Sequence, residues 1–479
     1  HLILNFDVNK TIVMMDSVAG KNVGDVSNAV IANIAWGTVI DVPPTEDVAG
    51  VPTGKPHNAS TAEEERWVGK AWRWDGKLPC ETCDRSPGDM VMTYVEFWEA
   101  QLAGVPNKKR RQAILQRFTE KGEPGEALRP YFQKFLDSLE LPPGVAFTPE
   151  AQAVGLSGSG AFIIPAFFEM MLELQRIGRS FSIVFRTYGE DLEDVCREYN
   201  AFCEGRHPLY PGASFDGRDG GSDYRVDFEK PQTFGTLYRG VAQASEAEAV
   251  IFGSFEQPEL GEGLEFYKDA ARFPNVSVHA GGILDVHHAI TKRTMQPGTL
   301  ALRDYFPIWK AEGMGADPGR PNYGKLMTID TDNDAHSIFF DDNISYTNAR
   351  IVDVRDIRFP QQVLGIFWLL ECHLVPAEAF AAVTEKMYFF DHVKRLSAAY
   401  DRRHRVLAHF RASVMNVMQR LESNKDISRN WPVLVHPASI NEEEDDHDPW
   451  LNIRAIASCH SSALPFEESS QVSSHLSLE

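Results

Sequence analysis

Cysteine is scarce in this sequence, six in 479 residues, which excludes the disulfide framework of a small secreted domain. Cys80 and Cys83 make a single CxxC, and Cys196 with Cys203 lacks the spacing of a second one. Structural zinc sites usually draw on two such pairs, so plain buried or surface thiols are the reading. Positive charge is also short: 47 Lys and Arg face 68 Asp and Glu, a net charge of −21. That balance speaks against a nucleic-acid partner, which would need a basic stripe. No uninterrupted apolar run reaches the roughly 18 residues of a membrane span. The nearest, "VLGIFWLLECHLV", carries Glu371 and His373 and stops at Pro376. No secretory signal is visible. The chain begins at His1, which leaves a removed targeting segment open, and the cytoplasm is the compartment expected. Sequons at Asn58, Asn275 and Asn343 arise too easily by chance to say more.

What is present begins with "LILNFD". Leu2, Ile3, Leu4 and Phe6 predict a short buried strand ending at Asp7, with Asn9 and Thr11 just beyond. Residues 25–36 carry a helical period, 40–64 read as a long loop, and 93–102, 110–122 and 128–144 are again helical. Residues 21–155 therefore predict a mostly helical unit, with Trp67, Trp72, Trp74 and Trp98 as core bulk. Pro165 in a first turn, the stripe Ile164, Phe167, Phe168, Met171 and Leu174, and Gly178 as a C-terminal stop define the clearest helix. "FSIVF" follows as a buried strand that ends at Arg186 and Thr187. A helix is predicted over 190–205, with strands at 235–241, 249–255 and 276–282. Residues 299–313 receive no assignment. "KLMTID", "SIFFDDN" and "ARIVDVRD" read as strands, and helical patterns resume at 361–372 and 377–422. Beyond 438, an acidic run and a Ser-rich end predict a solvated tail.

Polar clusters stand at the carboxyl ends of apolar strands: Asp7 with Asn9 and Thr11, then Thr187, then Asp341 with Asp342. Parallel strands bring such ends side by side, in the crevice where open α/β sheets place ligands. Two carboxylates there suit a hard cation such as Mg²⁺. A hydroxyl and a lysine beside them suit phosphate oxygens. A turn acid capping the next helix is the alternative for the Asp341–Asp342 pair alone.

In that order, "LILNFDVNKT", "FSIVFRT", a lysine and "SIFFDDN" resemble the haloacid dehalogenase superfamily. Its phosphatases carry hhhhDxDx[TV], a strand-end Ser or Thr, a Lys and hhhhDD. The resemblance covers residues 1–20 and 156–360 and implies a doubly wound parallel α/β core. It also implies a helical cap inserted at 21–155, with room for a second insertion within 190–300. Helices at 361–437 and the tail at 438–479 lie outside it. It implies a small phosphorylated substrate, Asp7 as the nucleophile, and Mg²⁺ held by Asp7, the carbonyl of Asn9, and Asp341 or Asp342. Thr187 would bind a phosphoryl oxygen, and Lys325 would neutralise charge, with Lys310 as the other choice.

The sequence departs from the family at Asn9, where the phosphatases keep an Asp that donates and accepts protons. An amide cannot exchange a proton at neutral pH. Three readings follow: a slow phosphatase, an enzyme whose acid comes from the cap, or a catalytically weak protein kept for binding. The dehalogenase branch, which usually dispenses with metal, ranks below these. His279, His287, His288 and His336 are further candidates for the missing acid, against the commoner surface histidine. "GASFDGRDGGSD" lacks the Glu that closes a calcium loop, and "GRPNYGK" lacks the Ser or Thr of a P-loop.

Overall fold

Leu2, Leu4 and Phe6 belong to one hydrophobic cluster and Ile3 to another, so the first strand is apolar on both sides because both faces of its sheet are covered. The computed structural model describes residues 1–14, 23–41, 70–76, 90–101, 115–156, 158, 160–240, 248–317, 320–330, 335–345, 350–360, 362 and 364–423. Its strands are β1 (Leu2–Asp7), β2 (Trp36–Asp41), β3 (Lys70–Trp74), β4 (Val91–Thr93), β5 (Phe181–Thr187), β6 (Phe234–Arg239) and β7 (Glu248–Phe252). They continue with β8 (Ser277–His279), β9 (Gly298–Asp304), β10 (Lys325–Ile329), β11 (His336–Asp341), β12 (Val352–Asp356) and β13 (Leu374–Pro376).

The central sheet has eight strands in the order β13-β11-β1-β5-β9-β6-β7-β8. From β13 to β6 the pairings are parallel, while β7 and β8 add antiparallel at one edge. The protein is thus of the α/β class, with a mixed, mainly parallel sheet. Phe6 stacks on Phe340 with centroids 4.7 Å apart and meets Phe167 and Phe389 edge-on. These rings seat the helix Pro165–Arg176 and the first turn of the helix that starts at Tyr388 on one face. On the other face Val286 and Ala289 of the helix Ile283–Thr294 pack with Ile3, Val184, Leu300 and Leu302.

Residues between β1 and β5, expected to be mostly helical, mix helices with strands. They hold the helices Val23–Ile34, Tyr94–Gln101 and Arg129–Leu139, but also an antiparallel sheet β3-β2-β4. The helix expected to reach residue 36 stops at Ile34, and the loop expected from 40 is entered through a strand. β-Branched and aromatic residues in "WGTVID" favour the pleated backbone there. The described part of 110–122 is mainly turn, with Gly122 at φ 83°. Trp72 and Trp98 are core residues, packed around Tyr94 with Phe118. Trp67, Cys80, Cys83 and Asn58 lie outside the described residues.

Downstream, β6, β7 and β8 widen the central sheet. The unassigned stretch at 299–313 proves to be β9 followed by the helix Phe306–Ala311. β10 leaves the central sheet and pairs in parallel with β12. Residues His1–Asp401 form one compact unit, and Arg402–Glu479 a second, described only for the end of its helix. No helix among the described residues is long and apolar enough to cross a membrane.

Candidate active site

Register brings the strand-end residues together. Phe6 pairs with Phe340 on one side, and Asp7 pairs with Arg186 on the other. Asp7 and Asp341, each one step on, therefore emerge at the same level of neighbouring strands. Oxygen atoms of Asp7, Asp341 and Asp342 lie within 4.8 Å of one another. Lys325, the first residue of β10, reaches into this group. Its Nζ donates to Asp7 Oδ1 and, at 2.8 Å, to Asp341 Oδ2. Lys310, by contrast, is exposed on the helix Phe306–Ala311.

Hydrogen bonds fix the remaining oxygens. Asp341 Oδ1 accepts from the Asn343 backbone N–H at 2.9 Å, so both its oxygens are engaged. Asp342 Oδ1 accepts from Asn343 Nδ2 at 2.7 Å, and its Oδ2 lies 3.7 Å from Lys10 Nζ. Thr11 accepts from the Asp342 N–H at 3.1 Å and donates weakly to Asp7 Oδ2 at 3.4 Å. The turn after β1 makes this bridge possible. Ile12 and Val13 N–H both return to the Val8 carbonyl, and Lys10 is held at φ 61°. A left-handed non-glycine residue is costly, and such strain gathers where a site demands it.

Charge in the cluster is unbalanced. Burial pushes Asp7 well above the usual carboxylate range. Lys325 opposes this, while Asp341 and Asp342 add to the rise. Burial works to lower the Lys325 ammonium, but Asp341, Asp7 and Asp304 outweigh it and its pKa is raised. Asp342 is pushed up to about 6, first by burial, with Lys10 working the other way and Asp341 adding to the rise. Three acids around Lys325, with Lys10 reaching Asp342 from the rim, are short of positive charge. An all-oxygen carboxylate set of this kind fits a hard divalent cation.

The rim carries polar residues at and just beyond the carboxyl ends of β1 and β5. Thr187 Oγ1 accepts from the Gly189 N–H at 2.9 Å. Asn9 Nδ2 donates to Asp191 Oδ2 at 3.1 Å. Tyr188 walls the site, its ring 5.3 Å from Lys325 Nζ and stacked on Trp309 at 6.2 Å. Burial, Asp304 and Asp341 keep its phenol neutral by raising its pKa. Below, Arg186 is paired with Asp304 and donates to the Leu326 carbonyl at 3.0 Å.

The structure thus gathers Asp7, Thr11, Lys325, Asp341 and Asp342, with Asn9 and Thr187 at the rim. The candidate histidines stand elsewhere. His336 is at the amino end of β11, stacked on Tyr400 at 4.0 Å. His287 bonds Thr328 at 3.0 Å, its neighbour His288 is exposed on the same helix, and His279 lies on the edge strand β8. Cys196 and Cys203 are buried free thiols. Sequence reasoning missed Asp191, because the helix predicted over 190–205 takes it in, whereas the helix begins only at Leu192. It missed Asp304 because the strand that ends there was not assigned, and Asn343 because a residue after two acids reads as turn.

Fold and site together define an α/β protein with an acidic, lysine-bridged centre at the carboxyl edge of its parallel strands. Comparisons with family models, with curated proteins and with solved structures return no match to the chain.

Proposed function

We propose that this is a Mg²⁺-dependent phosphoryl-transfer site of haloacid dehalogenase type, hydrolysing or transferring the phosphoryl group of a small phosphorylated molecule. The observation that carries the reading is Lys325 bridging Asp7 and Asp341, with Asp342 alongside, at the ends of neighbouring parallel strands. Asp7, Asp342 and the Asn9 carbonyl would hold the cation with Asp341. When bound, it would supply charge neutralisation to a phosphoryl group and to the attacking carboxylate.

Asp7 is the nucleophile in this reading. Attack by a carboxylate gives an acyl phosphate and splits one hard step into two. Lys325 works against burial to favour the ionised form of Asp7 and engages one of its oxygens, while the other meets only the weak Thr11 hydroxyl contact. Thr187 would donate its hydroxyl to a phosphoryl oxygen. Residues 21–155 would act as a cap that closes over the substrate and excludes water. The second reading, a weak or inactive protein kept for binding, is favoured by Asn9 alone.

Beryllofluoride with Mg²⁺ tests the proposal, because it mimics a phosphorylated aspartate. It should raise the melting temperature of the wild type and leave Asp7→Asn unmoved. Equal shifts in both proteins, or none in either, would refute it.

A further inference from the structure

Transfer from an alkyl phosphate releases an oxygen that needs a proton, and the water that follows must lose one. Around the centre described above, Lys325 is committed to two carboxylates. Thr11 and Thr187 carry hydroxyls, and the Asn9 amide does not exchange a proton at neutral pH. Among the described rim residues named above, Asp191 is the acid outside the lysine-bridged group. Three observations aim it at the site. It holds the N-cap position of the helix Leu192–Cys203, yet its side chain makes no capping bond there. Its Oδ2 accepts instead from Asn9 Nδ2 at 3.1 Å. A Cβ at Gly189 would lie 2.7 Å from Asp191 Oδ2 and 3.3 Å from both Asn9 Nδ2 and Thr187 Oγ1. The three polar groups therefore converge on a point that only glycine leaves clear.

We infer that Asp191 is the acid–base group of this site, with Asn9 as the residue that positions it. The inference rests on the phosphoryl-transfer reading. In the first half-reaction an Asp7 oxygen bonds to phosphorus while the bond from phosphorus to the leaving oxygen breaks. The Asp191 carboxyl gives its proton to that oxygen, and an alcohol departs. In the second, a water oxygen bonds to phosphorus and its proton passes to the Asp191 carboxylate. The bond between Asp7 and phosphorus breaks, which returns the Asp7 carboxylate, inorganic phosphate and a protonated Asp191. The carboxylate that Asn9 lacks is thus carried across one hydrogen bond, on the loop after β5.

The test compares wild type, Asp191→Asn, and the exchange Asn9→Asp with Asp191→Asn, all with Mg²⁺. Turnover is measured on p-nitrophenyl phosphate and on the best alkyl phosphate of a metabolite panel. Labelling of Asp7 by acetyl phosphate, whose leaving group needs no proton, is followed by mass spectrometry. Asp191→Asn should lose about 10²–10⁴-fold on the alkyl phosphate and less than about tenfold on the aryl one. It should still label at Asp7. The exchange variant keeps the hydrogen bond with donor and acceptor reversed, and should regain alkyl turnover over Asp191→Asn. Equal losses on both substrates, unchanged alkyl turnover, or no recovery by the exchange would overturn the inference. So would a wild type that labels but turns over no alkyl phosphate. A wild type that does not label at Asp7 would overturn the phosphoryl-transfer reading itself, and this inference with it.

Discussion

Lys325 shows how a single side chain holds two acids in place. Its Nζ is almost wholly buried between Asp7 and Asp341, so removing its charge leaves two carboxylates without a partner. Breaking a buried pair in this way costs about 3–5 kcal/mol. Lys325→Met should lose that much in urea unfolding, and millimolar Mg²⁺ should restore part of it. A loss below about 1 kcal/mol would mean that the acids are not ionised in the folded protein. Asp342 contributes to the pH dependence beside Asp7. Its pKa rises from 3.8 to about 6, chiefly through burial. Between those values the folded chain keeps a proton that the unfolded chain has lost, so stability falls as pH climbs through that window. Cation binding requires the carboxylate and competes with that proton. Melting curves with and without Mg²⁺ should therefore converge near pH 5 and separate above about 6. A Mg²⁺ effect that is constant from pH 4.5 to 8 would contradict this.

Among the elements, the helix Leu192–Cys203 begins on an acid that does not cap it. An N-cap Asp normally contributes about 1 kcal/mol. Asp191→Ala should cost less than about half of that, as read by thermal unfolding, because the side chain is turned toward Asn9. A full capping loss would place the carboxylate on the helix instead. The same contrast explains what could be read in advance. β1, β5 and β11 are continuous apolar runs because helices cover both faces of their sheet, and that pattern is legible without tertiary information. β9 and its Asp304 were not legible, since "TLALRD" is too short for its period to separate strand from helix. Strand β3, "KAWRW", reads as aromatic bulk in a helical unit. Its pairing with "WGTVID" depends on a partner some thirty residues away.

Across the whole molecule, three sequence-distant strand ends become neighbours through the order β11-β1-β5. The strand-end acids could be named from sequence because each closes an apolar run. The choice between Lys325 and Lys310 could not be made, since only the departure of β10 from the central sheet carries Lys325 back over Asp7. Asp191 was hidden for the same reason: its meaning lies in the Asn9 amide contributed by the turn after β1. What the assembled molecule should do rests on Asp7, and the most direct measurement is chemical. Protein incubated with acetyl phosphate and Mg²⁺, then reduced with borohydride, converts an aspartyl phosphate to homoserine at the labelled position. Homoserine should appear at residue 7, and chelation of Mg²⁺ should abolish it. No conversion, or conversion at another acid with Asp7 intact, would contradict it.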